Sequence, residues 1–122
     1  MITKRIKYED YNKFSGESEL SLEKTLELFD LMVWDNDAFL CFPINEINLF
    51  QIMFRRQKFL VEITNDSDHM IFHQKYASEE ECKEIISQFF MDNRIDALHD
   101  YYKVQIDRET LDQVIKKQGI NL

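Results

Sequence analysis

Three histidines, two cysteines and 23 acidic side chains are the groups from which a metal centre, a nucleophile or an acid–base pair would be built in this 122-residue chain. His69 and His73 stand four residues apart. On a helix that spacing puts two imidazoles on one face, but their segment, His69-Met-Ile-Phe-His73, reads as a strand. Four strand residues span about 13 Å, too far for both rings to reach one zinc at ~2 Å each. His99 falls in a separate segment, so no metal site is expected. Cys82 sits on the apolar stripe of a helix, which marks an inert core thiol rather than a nucleophile waiting for a base. Cys41 is likewise expected to face the core. No spacing singles out a carboxylate pair for glycoside or phosphoryl chemistry. A phosphate loop, a GxGxxG turn and paired CxxC sequences are absent, and no cofactor is expected.

The carboxylates are more informative as a surface than as a reactive pair. From Glu17 through Glu46 the chain carries eight acidic residues against one basic one, Lys24. Asp30, Asp35 and Asp37 flank Trp34, and tryptophan is a favoured anchor at protein interfaces. Carboxylates around an exposed indole can dock a basic protein and speed its encounter. The competing reading is that Trp34 plugs the core at the end of a helix. Glu62 stands mid-strand, where an unpaired buried carboxylate is costly. It either faces solvent or a neighbouring cation, Arg55 or Lys75, or serves as a charged contact for a partner. The candidate partner-binding residues are therefore Asp30, Trp34, Asp35, Asp37 and Glu62.

Three antiparallel strands over Glu46–Tyr76 must position these groups. Ile47–Arg55, Phe59–Thr64 and His69–Lys75 are rich in branched and aromatic residues, and Arg56-Gln57-Lys58 and Asn65-Asp66-Ser67-Asp68 separate them. Such loops are too short for a parallel crossover, so a meander follows. Alternation sets Phe50, Ile52 and Phe54 against Leu49, Gln51 and Met53. It also sets Phe59, Val61 and Ile63 against Leu60, Glu62 and Thr64. Upstream, Leu22, Leu26, Phe29 and Val33 share one helical face over Ser21–Val33, and Ala38–Phe42 is a short strand or an extended connector ending at Pro43. Ile2–Tyr8 reads as an edge strand or an ordered arm, and Gly16 as a turn. Downstream, Ala77–Phe90 is a helix opened by a Ser78/Glu81 capping box, with Cys82, Ile85, Ile86 and Phe89 inward. Asn93–Val104 suggests a short irregular helix. Asp107–Gln118 is a further helix, stopped by Gly119. The expected fold is α+β: an antiparallel meander of three to five strands, with two to three helices packed mainly on one face of a single domain, residues 1–122.

A net charge of −8 repels phosphate backbones, so no nucleic-acid partner is expected. No apolar stretch approaches the roughly 20 residues that span a bilayer. Charged residues interrupt the N-terminal run, so a membrane partner and a signal peptide are not expected, and cytoplasmic residence follows. Leu49-Phe-Gln-Ile, Phe59-Leu-Val-Glu-Ile63 and Ser78–Phe90 together resemble the small immunity-type proteins of bacterial polymorphic toxin systems. In several of these, an "LQI" strand, a "VEI" strand and a helix ending in paired phenylalanines follow one another. The resemblance covers Leu49–Phe90 and implies a cytoplasmic, non-enzymatic protein that binds a toxin domain and blocks its active site. A basic, nuclease-like toxin would complement the acidic balance. Two other readings stay open: a homodimeric structural or regulatory domain, and a small enzyme with an unrecognised carboxylate site. The enzyme would need a concave pocket holding two convergent acids.

Overall fold

The computed structural model describes residues 2–65, 68–95 and 100–120. Ten elements follow one another: β1 (Thr3–Glu9), β2 (Ser15–Ser21), α1 (Leu22–Leu31), β3 (Phe39–Pro43), β4 (Leu49–Arg55), β5 (Lys58–Asn65), β6 (Asp68–Ala77), α2 (Glu79–Asp92), β7 (Tyr102–Gln105) and α3 (Leu111–Ile120). The strands make one antiparallel sheet in the order β2-β1-β3-β4-β5-β6-β7. The α+β class and the central meander are as the sequence indicates. The sheet, however, has seven strands among the described residues rather than three to five.

The additional strands come from segments with weak local signals. β1 is not an edge: it pairs with β2 on one side and with β3 on the other. Gly16 lies within β2, opposite Tyr8, rather than in a turn. A Cβ on Gly16 would come within 2.7 Å of the Tyr8 hydroxyl, so the missing side chain makes room for the ring. The segment Asn93–Val104, read as helical, instead ends in β7, whose Val104 pairs with Phe72 of β6. Residues 96–99, including Leu98 and His99, lie outside the described residues, as do Asp66 and Ser67 of the β5–β6 turn.

α1 and α2 cover one face. Ser21 caps α1 by accepting from the Lys24 N–H at 3.2 Å, and Thr25, Leu28 and Phe29 form its buried stripe. Val33 is not on that stripe. The helix stops at Leu31, Met32 turns to extended angles, and Val33 is 43% exposed. α2 opens on the expected capping box, with Ser78 and Glu81 each bonding the other's backbone N–H. It ends at Asn93, which adopts the left-handed conformation. Phe89 meets edge-on a pair of rings that stack on each other across β3 and β4. Phe42 and Phe50 stack at 4.4 Å, and Phe89 meets them at 5.8 and 5.4 Å. Edge-to-face pairs of this kind add ~0.5–1.5 kcal/mol each beyond area burial.

α3 packs on the opposite face. Leu111 and Val114 cover Leu60 and Val104, forming a second small core beyond the sheet. Thr110 and Gln113 exchange side-chain-to-backbone bonds at its start. Gly119 lies inside the helix rather than beyond it. No described helix is long and apolar enough to cross a membrane.

Candidate functional site

α3 covers only the β5–β7 end of its face, and the rest of that face stays open. Pairing runs one polar row straight across it. Lys7 pairs with Glu17 and Cys41, Cys41 with Gln51, Gln51 with Glu62, Glu62 with Gln74, and Gln74 with Tyr102. Adjacent strands stand about 4.8 Å apart, so neighbours in such a row are within side-chain reach. Apolar residues flank the row on either side: Met53 and Leu60 on one, Phe72 and Val104 on the other.

A concave cleft of about 650 Å³ opens over this row. Gln51, Glu62 and Gln74 line it together with Met53, Leu60 and Phe72. Its rim is the start of α3, the β4–β5 turn at Arg55 and Arg56, and the Asn36–Asp37 turn. The β4–β5 turn has two central residues, Arg56 (φ 52°) and Gln57 (φ 67°), both in the left-handed region. A two-residue hairpin of this hand matches the twist of the strands. With Arg and Gln in place of the usual Asn-Gly, each residue costs about 1–2 kcal/mol. The turn holds Arg56 at the rim, where it meets Asp112 of α3 at 2.9 Å. Asp112 also accepts from the Tyr76 hydroxyl at 2.7 Å. Burial, and then this bond, push the Tyr76 phenol up to about 12.

At the floor, Glu62 is only 7% exposed. Gln51 donates from Nε2 to its Oε2 at 2.8 Å, and Gln74 donates from Nε2 to its Oε1 at 2.6 Å. Gln74 is itself 6% exposed. The acidic groups of the rim face cations: Asp37 stands 3.9 Å from Arg55, Asp112 is paired with Arg56, and Glu109 lies 3.2 Å from Lys117. Among the described residues, Glu62 has amides about it and no ion-pair partner. Neither Arg55 nor Lys75 takes that place, since Lys75 faces Glu81 and the Tyr101 ring. Glu62 thus stands on the cleft floor as a largely buried carboxylate that accepts one amide N–H on each oxygen. No protein family, curated protein or solved structure matches the chain.

The structure distributes the sequence-derived candidates over two faces. Asp37 and Glu62 line the same cleft. Asp30 lies on the helical side, its carboxylate 2.7 Å from Lys83 of α2. That bond is the main reason the Lys83 ammonium holds its proton above the ordinary range. Trp34 is half-buried on the helical side: its ring packs on Phe29 and Phe59 at 5.0 and 5.1 Å. Its indole N–H donates to the Phe29 carbonyl, so the indole is committed to the core. Asp35 sits in the turn after it, accepting from the Asn36 N–H. Asp30, Trp34 and Glu62 therefore do not share a surface.

Cys41, expected in the core, is half-buried on the open face, two strands from Glu62. Burial raises its thiol above the ordinary value. Cys82 is fully buried and pushed up to about 12, again mainly by burial. His73 is half-buried, and burial followed by Lys103 lowers its affinity for a proton. Sequence reasoning missed Gln51 and Gln74 as partners of Glu62. Gln51 becomes legible once the turn is taken as two residues, because Arg55 opposite Lys58 sets Gln51 opposite Glu62. Gln74 had no comparable signal, since the β5–β6 register shifts at Thr64/Asn65.

Proposed function

We propose that this chain is a non-enzymatic protein-binding domain that docks a basic partner over its open sheet face. The observation carrying the reading is Glu62: a carboxylate more than nine-tenths buried, opening on a cleft, with amides and, among the described residues, no cation around it. Taking a charge out of water costs several kcal/mol, and the described residues supply no ion-pair partner in return. A partner's cation would complete the site. The net charge of −8 favours the approach of such a partner. Of the four acids that line the cleft, Asp37, Asp112 and Glu109 each face a cation and Glu62 stands on the floor with amides, an arrangement that fits recognition better than acid–base turnover. The finer reading is an immunity protein that neutralises a basic, nuclease-like toxin domain in the cytoplasm. It is motivated by the resemblance over Leu49–Phe90 and by the same charge complementarity.

Capture from the organism that makes the chain, with Glu62→Arg as the matched control, tests this. A stoichiometric basic protein held by the wild type and released by the variant is the expected result. Recovery of no stoichiometric protein partner overturns the proposal. Co-expression with the captured protein tests the finer reading: an immunity protein restores growth to cells that the partner alone would kill.

A further inference from the structure

We infer that the cleft takes an arginine side chain of the partner, as opposed to a lysine. This rests on the protein-binding reading above and adds the chemistry that would recognise the contact. Gln51 and Gln74 approach Glu62 from the two neighbouring strands, one on each carboxylate oxygen. Each oxygen has about two acceptor directions. With one on each side used by an amide, the others are left for the open side of the row, as a pair. A guanidinium offers two parallel N–H groups in a planar fork that fits such a pair, whereas an ammonium is a point charge.

Three further features favour arginine. The site is desolvated, and a guanidinium is more weakly hydrated than an ammonium, so it gives up less on entry. The Gln51 and Gln74 side-chain carbonyls flank the carboxylate, and among the described residues no donor is bonded to them; they suit the outer N–H groups of the same fork. Met53, Leu60 and Phe72 line the cleft beside the row and can cover the apolar stem and the flat face of the guanidinium. Arg55 and Arg56 at the rim do not occupy this position, being turned to Asp37 and Asp112.

The test is NMR titration of the intact chain with acetyl-Gly-Arg-Gly-amide, followed through the side-chain amide resonances of Gln51 and Gln74. The lysine and citrulline peptides serve as comparisons. The arginine peptide is expected to shift both amides with a dissociation constant on the order of millimolar. Lysine should bind at least tenfold more weakly, a difference of about 1.4 kcal/mol, and neutral citrulline should give no shift. Glu62→Gln, its fold checked by the backbone spectrum, should abolish the effect; the wild-type comparison stands without it. Equal binding of lysine and arginine, or arginine shifts confined to other residues, overturns the inference. If a partner is still captured in a Glu62-dependent way, the broader reading survives that result. If no partner is captured at all, it is the broader reading that fails.

Discussion

Replacing Glu62 by Gln separates a group kept for binding from one kept for stability. In the wild type, each of the two amide bonds goes to a charged acceptor, and such bonds contribute ~1.5–3 kcal/mol. Against them stands the cost of desolvating a carboxylate, still several kcal/mol after relaxation. The two sums nearly cancel. A glutamine at 62 keeps the shape and, with one neighbouring amide rotated, can accept from one side and donate to the other. The expected change in unfolding free energy is therefore within about 1 kcal/mol of zero, in either direction. Urea denaturation followed by the fluorescence of Trp34 reads this directly, because the chain's only tryptophan is packed on Phe29 and Phe59 in the main core. Over the same substitution, arginine-peptide binding should fall beyond detection, since removing one partner of a buried ion pair costs roughly 2–5 kcal/mol. A loss of ~3 kcal/mol in stability would refute the reasoning, for it would mean that the carboxylate holds the sheet together.

Phe89→Ala should destabilise by about 3–5 kcal/mol, because it removes the ring that meets both Phe42 and Phe50; a midpoint in urea close to wild type would contradict that packing. Gln57→Gly should stabilise by about 0.5–1 kcal/mol, the relief of a left-handed residue less the extra chain entropy of glycine, and should raise the melting temperature without changing the cleft. Asp10 is buried in the β1–β2 loop and accepts backbone N–H bonds from Val33, Phe14 and Asn12. The Val33 bond above all holds its carboxyl below the ordinary 3.8. A lowered acid stabilises the fold above that ordinary value, and the contribution is lost as pH falls below it toward the folded value. Asp10→Asn should therefore melt below wild type at pH 7, and the gap should narrow at pH 3; a gap that stays constant would count against the assignment.

The sequence by itself determined the elements whose local and long-range preferences agree. Leu49–Arg55 and Phe59–Thr64 show alternation, and Phe50, Ile52, Val61 and Ile63 are on the face that α1 and α2 cover, whereas β6 turns Phe72 and Tyr76 to the other face. The Ser78/Glu81 box and the stripe through Cys82, Ile86 and Phe89 fix α2 from short-range chemistry alone. The type and half-turn periodicity of each residue were enough there.

Tertiary structure decided the rest. β2 and β7, and the place of β1 inside the sheet rather than at its edge, are decided by pairing with neighbouring strands, and such partners leave little trace in a local window. The cleft arises because α3 returns over the opposite face and stops short of covering it. The Glu62 site needs register across three strands. One residue more in the β4–β5 turn would put Gln51 opposite Ile63, on the other face, and the amide would be lost. Trp34 shows the converse: flanked by carboxylates it reads either as an exposed anchor or as a plug at the end of the helix, and packing on Phe29 and Phe59 decides for the core. Burying an indole against two phenylalanines outweighs the solvation of neighbours that can turn to water without it. A one-dimensional pattern says which residues can share a face; only the folded sheet says which charge is left there without a partner.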